Sequence, residues 1–387
     1  MASEKAARGS YLPYGLHWID EADIEAVIET LKSDWITTGP KVDEFEREFA
    51  RYTGCEFAVA VNSGTSALDI AVASLDLPRG SEAITTPFTF VATANALLYN
   101  GLIPVFADIQ RDTYNIDPVQ IKKRITNKTR AIVYVDYAGQ PCDIDEIKEI
   151  ATENNLYLIE DAAHACGAEY KGKKVGNFAD LTIFSFHPVK HITTGEGGMV
   201  TTNNEELYER MRLLRNHGID KTAMERFGAD ASWAYDMKLL GRNYRITDFQ
   251  CALGISQLRK LDAFIERRQK LAGIYNRAFA DTKQLTIPYV KPDIKHVWHI
   301  YTVLLARELN RDRFFELMRA ENIGVNVHYI PVYRFSYYQE CFNFKPEDFP
   351  VTEDVFSRII TLPLYPKMSV AELNQVIETI KRCLRMG

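Results

Sequence analysis

From Tyr11 to about Asn203 short β-branched runs alternate with stretches of helical period, and this alternation limits the fold more than any other feature. The strand-like runs are Phe57–Val61, Ala83–Thr86, Pro104–Phe106, Arg130–Val135, Tyr157–Glu160, Thr182–Phe186 and Met199–Thr202. Helical stretches fall between most of them, at Thr65–Ser74, Val91–Tyr99, Pro118–Arg124 and Ile144–Asn154. Such an order predicts an α/β fold with a mostly parallel central sheet sandwiched by helices. Several runs are apolar throughout, as strands covered on both faces are. Ahead of them Ile24, Val27, Ile28 and Leu31 recur at helical spacing, with Asp20 placed as the cap.

The texture changes after Asn243. A long charged helix is expected from about Asp248 to Phe279, then a strand at Tyr301–Leu305, a helix at Arg311–Glu321, a strand at Val325–His328 and a terminal helix from Val370 to Leu384. This predicts a large domain over residues 12–245 and a smaller C-terminal α+β domain over 246–387. The polar, Gly-containing stretch Asp220–Tyr235 reads as a loop.

Composition removes several functional classes. Lys and Arg number 46 against 52 Asp and Glu, a net charge of −6, with no basic stripe, so no nucleic-acid partner is expected. No apolar run reaches the roughly 18 residues of a membrane span, and Met1 to Gly9 lack the apolar core of a secretory signal. The six cysteines lie far apart without a CxxC pair, which points to reduced thiols in the cytoplasm and to no metal site.

Three constellations carry chemistry. Asn62-Ser63-Gly64-Thr65-Ser66 follows a strand and opens a helix, where free backbone N–H groups and the helix dipole suit a phosphate; an ordinary capped turn fits as well. It matches neither GxGxxG nor GxxxxGK[ST], which disfavours nicotinamide and P-loop enzymes. Leu158-Ile159-Glu160-Asp161 ends a strand in a carboxylate at the sheet edge where ligands bind, although a turn aspartate is the commoner fate. Ser185-Phe186-His187-Pro188-Val189-Lys190 presents a lysine beside apolar neighbours before the Gly-rich Gly195–Gly198, and desolvation favours its nucleophilic neutral form over that of a surface lysine. Together these three supply what pyridoxal phosphate (PLP) needs: a phosphate cup, an amine, and an anion that keeps the pyridine nitrogen protonated.

With these residues in place the sequence resembles the DegT/DnrJ/EryC1/StrS sugar aminotransferases, in the fold-type I class of PLP enzymes. The likeness covers nearly the whole chain, through NSGTSAL, TPFTFVATANA, VDYAGQP, DAAHACGA, SFHPVKHITTGEGG and LGRNYRITDFQCALG. It implies that Lys190 is the Schiff-base lysine, Asp161 the partner of the pyridine nitrogen, and His164 the residue beside the ring hydroxyl. Phe90 resembles the aromatic that stacks on the ring. Thr65, Ser66 and Ser185 match phosphate-binding positions, and Asn243 matches the residue that reaches the phosphate from a neighbouring subunit, so the resemblance implies a homodimer with a shared site. FHPVKxITT and Val327-His328-Tyr329-Ile330-Pro331 are similar to the subgroup of pseudaminic acid synthesis. That likeness implies L-glutamate as amino donor and the carbon-4 ketone of a UDP-linked 2-acetamido-trideoxyhexose as acceptor, with His328 and Tyr329 in the sugar pocket. A GDP- or dTDP-linked sugar, or a ketone on carbon three, stays open. A PLP sugar dehydratase is disfavoured, because the resembling dehydratases carry histidine at the position of Lys190.

Overall fold

The computed structural model describes residues 11–221, 225 and 233–386. Most of the Asp220–Tyr235 stretch lies outside the described residues. Strands β1 (Phe57–Val61), β2 (Glu82–Thr85), β3 (Ile103–Phe106), β4 (Thr129–Val135), β5 (Tyr157–Asp161), β8 (Leu181–Ser185) and β9 (Gly198–Thr202) form a seven-stranded sheet in the order β1-β9-β8-β5-β4-β2-β3. The pairings β8/β5, β5/β4, β4/β2 and β2/β3 are parallel, and β9 alone runs against its neighbours. Two short hairpin strands, β6 (Glu169–Tyr170) and β7 (Lys173–Lys174), pair with β11 (Ile294–Lys295) in a separate small sheet. The sheet therefore has the mostly parallel character read from the sequence.

Both faces are covered. Helices α3 (Gly64–Ser74) and α4 (Ala92–Tyr99) place Ala67, Ile70, Ala71 and Leu97 against Val59, Val133, Ile159 and Val200. On the other face α6 (Ile144–Asn154) sets Ile147 and Ile150 against Ile84, Ile132 and Leu158, while α2 (Pro40–Thr53) packs Phe45 and Phe49 on Phe184 and Phe186. Helix α2 starts with Pro40 at its first position, where no N–H is needed, and stops at Gly54, whose φ of 79° a side chain would resist.

Helix α1 (Glu21–Leu31) has the expected cap: Asp20 accepts from the Asp23 N–H at 3.2 Å and the Asp23 carboxylate accepts from the Asp20 N–H at 3.0 Å. Its packing is inverted relative to its pattern. The buried side chains are Asp23 and Thr30, while Ile24, Ile28 and Leu31 face outward with 44%, 40% and 54% of their surface exposed. The inward face is polar because it meets the helix Asp248–Leu258, where the Gln257 amide donates to Asp23 at 2.8 Å and Lys260 pairs with the same carboxylate at 2.6 Å.

Those two contacts sit where the long helix expected from Asp248 to Phe279 is in fact two helices, Asp248–Leu258 and Leu261–Phe279. The break at Arg259-Lys260 turns the Lys260 ammonium toward Asp20 and Asp23. Likewise Val325–His328 is no strand: it makes one bridge, Asn326 to Thr361, and Asn326, Val327 and His328 turn to the edge of the seven-stranded sheet.

The C-terminal core is built on an antiparallel sheet of β10 (Leu285–Thr286), β12 (Tyr301–Leu305) and β13 (Ile359–Leu362). Leu271, Tyr275 and Phe279 of the long helix pack here with Phe314, Met318, Val376 and Ile380, and so does Leu12 from the chain's start. Leu261, Phe264 and Ile265 belong instead to the core around Phe45 and Phe184. We propose that the larger and smaller units meet within this helix.

Candidate active site

The carboxyl ends of β5 and β8, the start of α3 and the segment after Asn326 enclose a cavity of about 610 Å³. Asp161 is the last residue of β5 and Ser185 the last of β8, so both emerge at the edge where parallel strands open toward ligands. Lys190 follows in a tight turn, its N–H donating to the His187 carbonyl at 2.9 Å, and faces the same cavity.

Glycines shape the phosphate-sized end. Ser63 caps α3 by accepting from the Ser66 N–H at 3.0 Å, which leaves the N–H groups of Gly64 and Thr65 without an acceptor among the described residues. A Cβ on Gly64 would lie 2.9 Å from Ser185 Cβ and 3.0 Å from its hydroxyl, so glycine lets the helix start and Ser185 close around one space. Gly198 is needed for a related reason, because a Cβ there would enter the Ser63 carbonyl.

Asp161 is buried. Its Oδ2 accepts from the Thr93 hydroxyl at 2.7 Å and its Oδ1 from the Ala163 N–H at 3.2 Å. Burial raises its pKa, against the opposing pull of Thr93, Ala163 and the Lys190 cation. Burial also takes the Lys190 amine down to about 8, partly countered by the Asp161 charge. That ammonium makes no hydrogen bond or ion pair among the described residues.

His164 is held on several sides. Its Nδ1 accepts from the Ala138 N–H at 3.3 Å, so the ring's single proton resides on Nε2, 2.9 Å from the Tyr329 hydroxyl. The Tyr329 ring stacks on it at 5.8 Å and the His299 ring lies 4.3 Å away. Burial, reinforced by the Lys190 cation, depresses the pKa of His164, His299 and His328 and keeps all three neutral. His328 bonds Thr361 Oγ1 at 2.8 Å, and its ring meets Tyr14 at 5.3 Å.

The structure thus gathers Thr65, Phe90, Asp161, His164, Ser185, Lys190, His328 and Tyr329 around one cavity. Ser66 is buried behind it, its hydroxyl donating to Asn62 Oδ1 at 2.6 Å. Asn243 lies elsewhere, exposed, with its backbone bridged to Asn216. Thr93, Tyr14, Asn326 and His299 are walls that sequence reasoning missed. Thr93 had a signal, a hydroxyl one residue inside a helix start; the other three are brought in by folding alone.

An amine that has no partner among the described residues, a buried carboxylate and the free Gly64 and Thr65 N–H groups of a helix start, all facing one cavity, fit PLP and the PLP-dependent enzymes built on a sheet of this order. The profile of the DegT/DnrJ/EryC1/StrS aminotransferase family matches residues 17–381. The chain is 42% identical over 97% of its length to the spore coat polysaccharide biosynthesis protein SpsC of Bacillus subtilis, covering 97% of that protein. It is 40% identical over 95% of its length to the UDP-4-amino-4,6-dideoxy-N-acetyl-β-L-altrosamine transaminase of Campylobacter jejuni, covering 96%. Among solved structures it matches Helicobacter pylori PseC, an aminotransferase of pseudaminic acid biosynthesis, with a TM-score of 0.93 at 34% identity, covering 98% of this chain and 100% of that one. The PLP form of the Streptococcus pneumoniae sugar aminotransferase Spr1654 matches with a TM-score of 0.91 at 31% identity, covering 97% and 99%. The chain belongs to the DegT/DnrJ/EryC1/StrS family of PLP-dependent sugar aminotransferases.

Proposed function

We propose that this enzyme moves an amino group from L-glutamate to the carbon-4 ketone of a UDP-linked 2-acetamido-trideoxyhexose, the reaction named for its Campylobacter relative. The observation that carries this reading is the convergence of Lys190 and Asp161 on one cavity beside the free Gly64 and Thr65 N–H groups at the start of α3. PLP, when bound, supplies a ring that accepts electrons from the carbon losing its proton. Gly64 and Thr65 N–H groups and the Ser185 hydroxyl hold the phosphate, and Ser66 braces that turn through Asn62. Asp161, as a carboxylate, would lie beside the ring nitrogen and keep that nitrogen protonated. Phe90, exposed at the cavity mouth, would cover the ring, and His164 would stand beside its hydroxyl. Lys190 Nζ takes the proton from one carbon and returns it to the other along a single face, which an amine lowered to about 8 can do near neutral pH. His328 and Tyr329 form the wall for the sugar.

The outward Ile24, Ile28 and Leu31 support a homodimer, since an apolar ridge of this kind is covered by a partner, and a second copy would bring Asn243 to the phosphate. Among the described residues no helix is long and apolar enough to cross a membrane. Purified protein is to be incubated with PLP, L-glutamate and a panel of nucleotide keto-sugars, with products read by mass and NMR. Amination of the UDP-linked 4-keto sugar together with 2-oxoglutarate formation is the expected result. Preference for a dTDP- or GDP-sugar would overturn the substrate, and turnover by Lys190→Ala would overturn the site.

A further inference from the structure

Directly behind Asp161 the fold buries two more carboxyl groups, which the reaction does not use. Asp136 follows the last residue of β4, and Glu160 precedes Asp161 on β5; neither has measurable exposure. Each has one satisfied oxygen. Asp136 Oδ1 accepts from the Cys142 N–H at 3.0 Å, and Glu160 Oε2 accepts from the Thr182 hydroxyl at 2.8 Å. The remaining oxygens, Asp136 Oδ2 and Glu160 Oε1, have no hydrogen-bond partner among the described residues, although the two side chains stand within reach of one another and the Tyr134 hydroxyl and Gly176 N–H lie near Glu160. Two carboxylates are acceptors only, so a bond between them needs a proton on one. The groups packed against the pair are Tyr134 from β4, Thr182 from β8, the Gly176 N–H, and the thiols of Cys142 and Cys55. No cation is among them to neutralise two charges, and two ionised carboxylates without one are costly at such burial.

The pair also has leverage on the site. The register sets Tyr134 opposite Glu160 and Val135 opposite Asp161, and the Asp136 N–H donates to the Asp161 carbonyl at 3.2 Å. A bond between the Asp136 and Glu160 carboxyls therefore ties the ends of the two strands that frame Asp161.

We propose that Asp136 and Glu160 share a single proton, and that this clasp makes them positioning residues for Asp161. The second half rests on the role given to Asp161 above; the first does not. In the folded chain the pair keeps a proton that the unfolded chain has released above about pH 5, so stability falls as pH rises further while the proton is held. Glu160→Gln replaces the shared proton with an amide N–H and removes that dependence.

The test has two readouts on the full-length protein. Unfolding by denaturant between about pH 7.5 and 9, with and without PLP, is expected to show wild type releasing one more proton than Glu160→Gln, other titrating groups cancelling in the difference. Equal slopes would overturn the shared proton, whatever the cofactor does. For positioning, Glu160→Leu is expected to weaken PLP binding about tenfold and to shift the pH midpoint of the bound cofactor's visible band, while Glu160→Gln restores both to within about threefold of wild type. If Glu160→Leu does not fold, Asp136→Ala takes its place in the second readout with the same losses expected, and the Gln variant's visible-band midpoint must stay with wild type. Wild-type PLP affinity and midpoint in Glu160→Leu would overturn the positioning role alone.

Discussion

Lys190 offers the sharpest quantitative test of the site. With its pKa taken to about 8 by burial, roughly a tenth of the side chain is neutral amine at pH 7. At the unperturbed value the neutral fraction would be about 0.03%, so the fold enriches the nucleophile about 300-fold. The perturbation is a pH series on PLP-free protein mixed with PLP, followed by stopped-flow absorbance as Lys190 captures the aldehyde. The capture rate should climb with pH and level off with a midpoint near about 8, whereas a solvent-exposed lysine peptide keeps rising past pH 10. Asp161→Asn sharpens the experiment, because the Asp161 carboxylate acts on Lys190 in the opposite sense to burial. Removing that charge should move the midpoint further down. A midpoint above about 9.5, or an upward shift in Asp161→Asn, would refute the claim that desolvation sets the lysine's reactivity.

Gly64→Val should weaken PLP binding about tenfold or more in a fluorescence titration while the protein stays folded, since even a Cβ there meets Ser185 at 2.9 Å. If the proposed homodimer closes over the apolar ridge of α1, Ile24→Glu with Ile28→Glu should halve the mass seen by analytical ultracentrifugation; an unchanged mass would overturn that contact. Glu46→Ala should lower stability by about 3–5 kcal/mol in denaturant titrations, because Arg215, which donates to Glu46 at 2.5 Å, would be left a buried cation. A loss under about 1 kcal/mol would show that the Ala60 carbonyl, 2.7 Å from Arg215, satisfies that guanidinium by itself.

The central strands were readable because a strand buried on both faces must be apolar along its length: Phe57–Val61 is found as read, and the others differ by about a residue at either end. The lysine, the carboxylate and the helix start were readable because each follows a strand, so topology alone brings them to one edge. Helix α1 shows what pattern cannot say. Its spacing revealed an apolar stripe, yet whether a stripe turns to the chain's own core or outward depends on Gln257 and Lys260, more than two hundred residues away in sequence, which claim Asp23 on the opposite face. The break after Leu258 was hidden for the same reason. Tyr14, His299 and Asn326 carry no local signature at all, and they reach the cavity only through contacts between segments far apart in sequence.

The chain's opening stretch has a consequence for biogenesis. Leu12 bridges to Ile323, the Tyr14 carbonyl accepts from the Leu364 N–H at 3.0 Å, and the Tyr14 ring lies on His328 in the cavity wall. Leu12 and Tyr14 are translated well before Ile323, His328 and Leu364, so this wall of the cavity stays open until those later residues have been made and fold back onto the earlier ones.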